Sequence, residues 1–416
     1  MAIGFVGMTH LGLLSAAGAA ACGFEVIGAD PDSGRIAKLR SGDLPVFESG
    51  LPDSLARHKV DFTADRARLA VCDLVYVAPD VPVDAQGCSD TAIVDTMLEW
   101  CLPAVAPGCT VVVLSQVPPG FTRLRAVAHN RPLFYQVETL IFGRALERAM
   151  KPERYIVGCA EPDKPLPHAL ASHLGHYGCP ILPMHYESAE LTKISINLCL
   201  VAQLSVTNTL AELCERIGAD WSEIAPALRL DARIGLQAYL QAGLGVGGGN
   251  LMRDVETARR MATEVGSDET VLRAFASNSR HRQDWTMQRL HAALGGIAKP
   301  KVAILGIAYK AGTAETLNSP GLALMHAFSN VEFRLHDPEA DVAKHGPAAR
   351  DPVEACSGCH AVAVMTPWPE YRSLAPGTLA RALDPQRRIA IDPFKVLDPA
   401  RCAAAGLEHH TLGVAA

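Results

Sequence analysis

Apolar positions along the chain fall into short runs separated by longer amphipathic stretches. Ile3 to Val6 is the first run, Glu25-Val-Ile-Gly-Ala-Asp30 the second, and Leu74-Val-Tyr-Val-Ala78 and Thr110-Val-Val-Val-Leu114 follow. Such runs without strict alternation read as strands covered on both faces, hence as a parallel sheet. Helical patterns lie between them, among them the alanine-rich Leu13 to Cys22 and Ala92 to Cys101. The alternation resumes at Lys301-Val-Ala-Ile-Leu305 and recurs in runs ending at His336-Asp-Pro338, Met365-Thr-Pro-Trp368 and Ile391-Asp392. In the middle, Tyr186 to Ile217 carries small and aliphatic residues at helical spacing with Gly218 as a stop, and Val255 to Leu294 reads as further helix. The pattern predicts an α/β chain of two Rossmann-like domains with parallel sheets, residues 1-183 and 297-416, joined through a long central helix and a helical middle domain, residues 184-296.

A length of 416 residues suits two or three such domains, and 49% apolar with 20% charged residues is a globular balance. The net charge of -6 and the lack of any Lys/Arg-rich run exclude an electrostatic footprint for nucleic acid. Met-Ala-Ile-Gly-Phe has no basic leader, and Ile194 to Leu213 is interrupted by Asn197, Gln203, Asn208 and Glu212. Neither reads as a signal peptide or a membrane span, so the expectation is a cytoplasmic protein without a membrane partner. Twelve scattered cysteines suit reduced thiols. Cys356-Ser-Gly-Cys359-His360 has the form of a haem-attachment site, but it runs directly into the buried-strand pattern Ala361 to Met365 and is read as core.

Candidate chemistry begins at the first turn. Gly7-Met-Thr9-His10-Leu11-Gly12 stands between a strand and a helix, and Asp30 closes the second strand. This is the layout of a dinucleotide-binding turn, with Asp30 placed to accept from the adenosine ribose hydroxyls and to repel a 2′-phosphate, which favours NAD. Its middle glycine is replaced by Thr9. If that position must be left-handed, threonine costs on the order of 1–2 kcal/mol.

The second candidate is Asp231 to Asp254, a glycine-rich segment with Arg233 near its start and Arg253-Asp254 at its close. Its glycines make helix or strand costly and predict a loop, either one whose bare backbone approaches a ligand or a flexible surface linker. The stretch resembles the active-site loop of the UDP-glucose/GDP-mannose dehydrogenase family, D-x-R-I-G-x-x-x-L-x-x-G-x-G-F-G-G-S-C-F-x-K-D. Arg233, Ile234, Gly235, Gly243, Gly245, Gly247, Gly248 and Asp254 match it, and Tyr239 lies within it. Where the family has its nucleophilic cysteine this chain has Asn250, and no cysteine occurs between Cys214 and Cys356.

The resemblance extends over nearly the whole chain. Ser115-Gln116-Val-Pro-Pro-Gly-Phe-Thr122 resembles the S-T-V-P-x-G-T-T turn, and Val81 stands for the threonine of a T-P-V loop. Gln136-Val-Glu138-Thr-Leu-Ile-Phe142-Gly143 resembles N-P-E-F-L-R-E-G, keeping Glu138 but placing Phe142 at the second glutamate. Ala189-Glu190-Leu-Thr-Lys193 with Asn197 resembles A-E-x-x-K-x-x-x-N on a central helix that supplies dimer contact. The run from Lys301 to Pro320 resembles the family's nucleotide-binding motif, keeping Tyr309 and Lys310 but placing Leu317 at its arginine.

By that resemblance the catalytic set is Lys193, Asn197, Asp254, Glu138 and, at the altered position, Asn250. NAD would be held by Gly7, Thr9, His10, Leu11, Gly12, Asp30 and Ser115, and the nucleotide-sugar substrate by Arg233, Tyr239, the loop glycines, Tyr309 and Lys310. No metal site and a homodimer are expected. The family oxidises C6 of a nucleotide-bound hexose twice, and its second oxidation passes through a thioester. A carboxamide is no nucleophile, so Asn250 predicts that the reaction stops after one hydride transfer or that oxidation of a hydrated aldehyde replaces the thioester step, with the single transfer favoured and a UDP-hexose favoured over a GDP-hexose as substrate. A redox-neutral NAD-dependent epimerase and a non-catalytic binding homologue remain open.

Overall fold

The computed structural model describes residues 1–46, 48–82, 89–141, 143–246 and 250–415, without the side chain of Asn250. Phe142, Gly247 and Gly248 therefore lie outside the described residues. The chain divides into two compact units, Met1–Ile196 and Asn197–Ala416.

The first unit is built on strands β1 (Ala2–Val6), β2 (Glu25–Ala29), β3 (Val60–Thr63), β4 (Leu74–Val77), β5 (Thr110–Val113), β6 (Leu133–Gln136), β7 (Tyr155–Cys159) and β8 (Ile181–His185). Among the described residues they form one sheet in the order β3-β2-β1-β4-β5-β6-β7-β8. Its first six places follow the dinucleotide-fold order. Alternate residues of each strand enter opposite cores: Phe5, Tyr76 and Val112 pack on one face, and Val6, Val75, Val111 and Val113 on the other. This two-sided burial is why these strands are continuous β-branched and aromatic runs. The expected parallel arrangement fails at one place. β6 and β7 are antiparallel, because the segment between them returns along the same edge with only the short helix Ala145–Met150 in it.

Helix α1 (His10–Ala21) starts three residues before the expected Leu13, and Gly23 after it has φ +88°. Its small residues serve close packing: a Cβ on Gly18 would lie 2.5 Å from the Ala149 Cβ.

The second unit holds a smaller parallel sheet, β9 (Lys301–Leu305), β10 (Glu332–His336), β11 (Ala361–Val364), β12 (Ile389–Ile391) and β13 (Glu408–His410), ordered β10-β9-β11-β12-β13. The tail, which carries no periodic signal, supplies β13, and Gly413 then accepts from Trp221 N–H at 2.9 Å. Cys356 and Cys359 lie in this unit's core, and burial pushes the Cys359 thiol up to about 11.

The two units repeat one device. Gly7 (φ +92°) and Gly306 (φ +97°) each end a first strand in a conformation that favours glycine. Asp30 and Asp337, just beyond the next strand, accept from the turns that follow: Met8 N–H at 2.7 Å, and Ile307 and Ala308 N–H at 2.7 and 3.0 Å.

The central helix spans Tyr186–Ile217, as its periodicity predicts, and Gly218 follows at φ +79°. Its most apolar window, of mean hydropathy 1.4, is long and apolar enough to cross a membrane by length and composition only, which a core helix of a soluble protein equally satisfies. The polar residues are instead spent inside protein. Glu190 is fully buried in the first unit, Asn208 almost fully in the second, and Tyr186, Ala189, Ala211 and Cys214 join the units' cores.

Candidate active site

The first turn has the geometry a dinucleotide requires. A Cβ on Gly12 would lie 2.0 Å from the Gly7 carbonyl oxygen, and one on Gly7 would lie 2.7 Å from Pro79 N, so both positions need glycine. Thr9 is not strained. Its φ of −88° and ψ of −164° are ordinary extended values, and it is the N-cap residue of α1. The anticipated cost of threonine here is thus absent. Asp30 is fully buried, accepting from Met8 N–H and Arg35 Nη1 on one oxygen, each at 2.7 Å, and from Asp32 N–H at 2.9 Å on the other. Ser115, also fully buried, donates to the Pro79 carbonyl at 2.5 Å and fixes the loop after β4. Among the described residues the glycine turn and the loop after β4 suit a dinucleotide's pyrophosphate, with two exceptions: both Asp30 oxygens are engaged by protein donors, and the helix donors are taken. Asp80 Oδ2 accepts from His10 N–H at 2.7 Å and from Leu11 N–H at 3.4 Å, the donors that α1 would offer a phosphate.

Beyond β6, Glu138 meets the central helix. Lys193 Nζ lies 3.0 Å from Glu138 Oε2, with the two side chains 13% and 17% exposed, and the other carboxylate oxygen accepts from Leu140 N–H. The helix motif that carries Lys193 does two further jobs. Ala189 packs against Gly158, where a Cβ would sit 3.0 Å away. Glu190 accepts from Gly120 and Thr122 N–H at 2.6 and 2.8 Å, closing the turn that follows Ser115. Burial raises the Glu190 carboxyl above its ordinary value, and these backbone donors oppose the rise.

In the second unit, Asn197 Nδ2 donates to Asp254 Oδ2 at 2.5 Å, and Arg253 Nε lies 3.3 Å from the other oxygen. Asp254 is fully buried. Both Arg253 and Asp254 stand on the helix Asn250–Val265 rather than on the loop, within its first turn or just past it, where an acid is favoured by the helix dipole. Before this helix the loop is tied down. Gln203 accepts from Tyr239 N–H at 2.8 Å, Asn208 from Gly243 N–H at 2.9 Å, and Ser279 from Val246 N–H at 2.9 Å. Gly245 has φ +72°, and a Cβ there would lie 2.4 Å from the Ser279 carbonyl oxygen. Arg233 is 89% exposed and forks onto Asp231 at 2.6 and 3.0 Å. Tyr309 is half-buried, its phenol pushed up to about 12 by burial and by Glu315, and Lys310 Nζ lies 5.5 Å from its ring centre.

Sequence reading assigned no role to Asp80, to Glu190 of the matched helix motif or to the helix amides Gln203 and Asn208. For the amides a signal existed, since polar side chains at helical spacing within an apolar helix imply buried partners. Asp80 had only its place after a strand and between two prolines.

Residues 1–173 match the UDP-glucose/GDP-mannose dehydrogenase family, NAD binding domain, residues 187–280 its central domain and residues 303–399 its UDP binding domain. The chain is 28% identical to a UDP-glucose 6-dehydrogenase of Pseudomonas aeruginosa, with 98% of this chain and 96% of that protein covered. It is 29% identical to a UDP-glucose 6-dehydrogenase of Rhizobium meliloti over 90% of this chain and 91% of that one. Among solved structures it is similar to a UDP-glucose dehydrogenase of Pyrobaculum islandicum, with a TM-score of 0.85, 26% identity and coverage of 100% and 98%.

Proposed function

The chain belongs to the UDP-glucose/GDP-mannose dehydrogenase family of NAD-dependent nucleotide-sugar dehydrogenases, and from that premise we propose that it oxidises a UDP-hexose by a single hydride transfer and makes no uronic acid. The observation that carries this is Asn250 in the place of the family's cysteine. One oxidation removes a hydride from the carbinol carbon and a proton from its hydroxyl. NAD supplies the hydride acceptor when bound. Within the first unit Lys193, oriented by Glu138, carries donors suited to a substrate oxygen, and within the second Asp254, held by Asn197 and Arg253, is a buried acid suited to taking a proton; that both serve one substrate is what the family resemblance implies. A second oxidation through the family's thioester would need a thiolate to trap the aldehyde, and a carboxamide forms no such bond. The match to the family's UDP binding domain and the names of the relatives support UDP over GDP.

Val206, Leu210, Leu213 and Ile217 are all exposed at helical spacing on the central helix and support a homodimer formed through that face.

The test is to incubate the purified chain and NAD with a panel of UDP- and GDP-sugars, following NADH by absorbance and products by mass spectrometry. The expected result is at most one NADH per sugar, abolished by Lys193→Ala. Asn250→Cys alone should not restore acid formation, because Phe142 still replaces a carboxylate and catalytic groups acting as a unit are not additive. Two NADH per sugar with a covalent adduct on the wild-type chain would overturn the proposal. An epimer without NADH would establish the redox-neutral alternative, and no product with any sugar, even with NAD raised about a hundredfold, the binding-only one.

A further inference from the structure

We propose that Thr9 and Asp80 form a latch over the cofactor turn, and that a dinucleotide's pyrophosphate seats only by displacing the Asp80 carboxylate from the N-terminus of α1. The inference rests on the reading of this turn as the NAD site and adds to it the residues that set the cofactor's affinity.

The contact is reciprocal. Thr9 Oγ1 accepts from Asp80 N–H at 2.7 Å, while Asp80 Oδ2 accepts from His10 N–H at 2.7 Å and Leu11 N–H at 3.4 Å. Each residue thus satisfies a backbone donor of the other's segment, as a capping box does within one helix. A glycine at the middle position of the fingerprint could not return this bond, which accounts for Thr9 in terms of its partner.

The backbone beneath the latch is fixed. Pro79 packs where a Gly7 Cβ would be, its carbonyl is held by Ser115, and Ala78 N–H donates to the Val6 carbonyl at 2.8 Å. The Asp80 residue itself is exposed, so its side chain can leave without moving that backbone.

A phosphate and this carboxylate compete for the same N–H groups and repel each other, and both cannot occupy the end of one helix. The latch therefore weakens only ligands that bring a phosphate to this turn. Removing hydrogen bonds of this charged kind corresponds to a change on the order of tenfold to a hundredfold in affinity.

Calorimetric titration of the full chain with NAD, ADP-ribose and adenosine tests this, using wild type, Asp80→Ala and Asp80→Asn. Asp80→Ala should bind NAD and ADP-ribose tenfold to a hundredfold more tightly, with adenosine, which lacks the pyrophosphate, unchanged. Asp80→Asn keeps an acceptor for His10 N–H and removes the charge, so it should fold even if the alanine variant does not and should show a smaller gain of the same sign. Amide exchange at His10 and Leu11 should be faster in Asp80→Ala than in the wild-type apoprotein. Equal or weaker ADP-ribose binding by both variants would overturn the latch. Failure of every form to bind adenosine as well would instead remove the cofactor reading beneath it, and the latch with it.

Discussion

His173 gives the sharpest quantitative expectation. Its imidazole lies in an aromatic cluster of the first unit, with ring centres 4.8 Å from Phe24, 5.5 Å from Tyr177 and 5.7 Å from Tyr76. It is 5% exposed, and its Nδ1 has no hydrogen-bond partner among the described residues. Burial, with a smaller contribution from neighbouring His176, lowers its pKa from 6.5 to about 4. The unfolded chain therefore binds more protons than the folded one between those values, so stability is present above the unfolded pKa and lost as pH falls. At about 1.4 kcal/mol per pH unit the full loss is about 3 kcal/mol below pH 4, and the part already lost at pH 5 is about 2 kcal/mol. His173→Phe keeps an aromatic ring in the cluster and cannot be protonated. In denaturant titrations of the full chain at pH 7.5 and pH 5, the wild type should lose about 2 kcal/mol more than the variant on acidification. The other titrating groups are common to both proteins and cancel. Equal losses would refute the assignment. His173, Tyr76, Gln136 and Glu138 line the same cavity of about 60 Å³.

Two further expectations concern the frame of the site. Gly12→Ala should destabilise the first unit by about 3 kcal/mol or more, since its Cβ would meet a backbone carbonyl at 2.0 Å. Gly243→Ala, which meets nothing within 4 Å, should stay within about 0.5 kcal/mol, and denaturation midpoints compare the two. Asn197→Ala should cost about 2 kcal/mol through the lost bond to a buried carboxylate, and Asn197→Asp clearly more, because it sets two carboxylates against each other. Equal costs in chemical denaturation would show that Asn197 does not serve Asp254.

Much of the fold was legible because its signals are local. Strands buried on both faces leave unbroken apolar runs, and the central helix keeps its period between a tyrosine and a stop glycine. What escaped was pairing over long separations. The antiparallel β6–β7 edge depends on how a connection returns, and β13 is short, polar and stabilised by β12 rather than by its own pattern. The same holds at the site. Lys193, Glu138, Asn197 and Asp254 were named from motif resemblance, but that Lys193 faces Glu138 while Asn197 faces Asp254 is a tertiary fact. Thr9 looked like a defect while its partner, Asp80, lay far along the sequence. Leu317, 58% exposed where the family has an arginine, has no explanation in the structure.

The pattern of departures bears on whether the chain is a working enzyme. Random loss would strip partners one at a time and leave orphans, yet Lys193 with Glu138, Asn197 with Asp254 and Thr9 with Asp80 are each complete pairs. The altered turn is thus a second solution to closing the loop after β4, at the expense of cofactor affinity. A protein whose binding-competent state is a minor fraction shows an apparent dissociation constant raised by the inverse of that fraction. If the latch holds the turn closed most of the time, an assay at cofactor levels adequate for an unlatched relative would leave this chain mostly empty and would register as absence of activity. The sugar panel must therefore be run with NAD at tenfold to a hundredfold higher concentration, or on Asp80→Asn, and a product that appears only under those conditions would show that the latch limits turnover in a functioning enzyme.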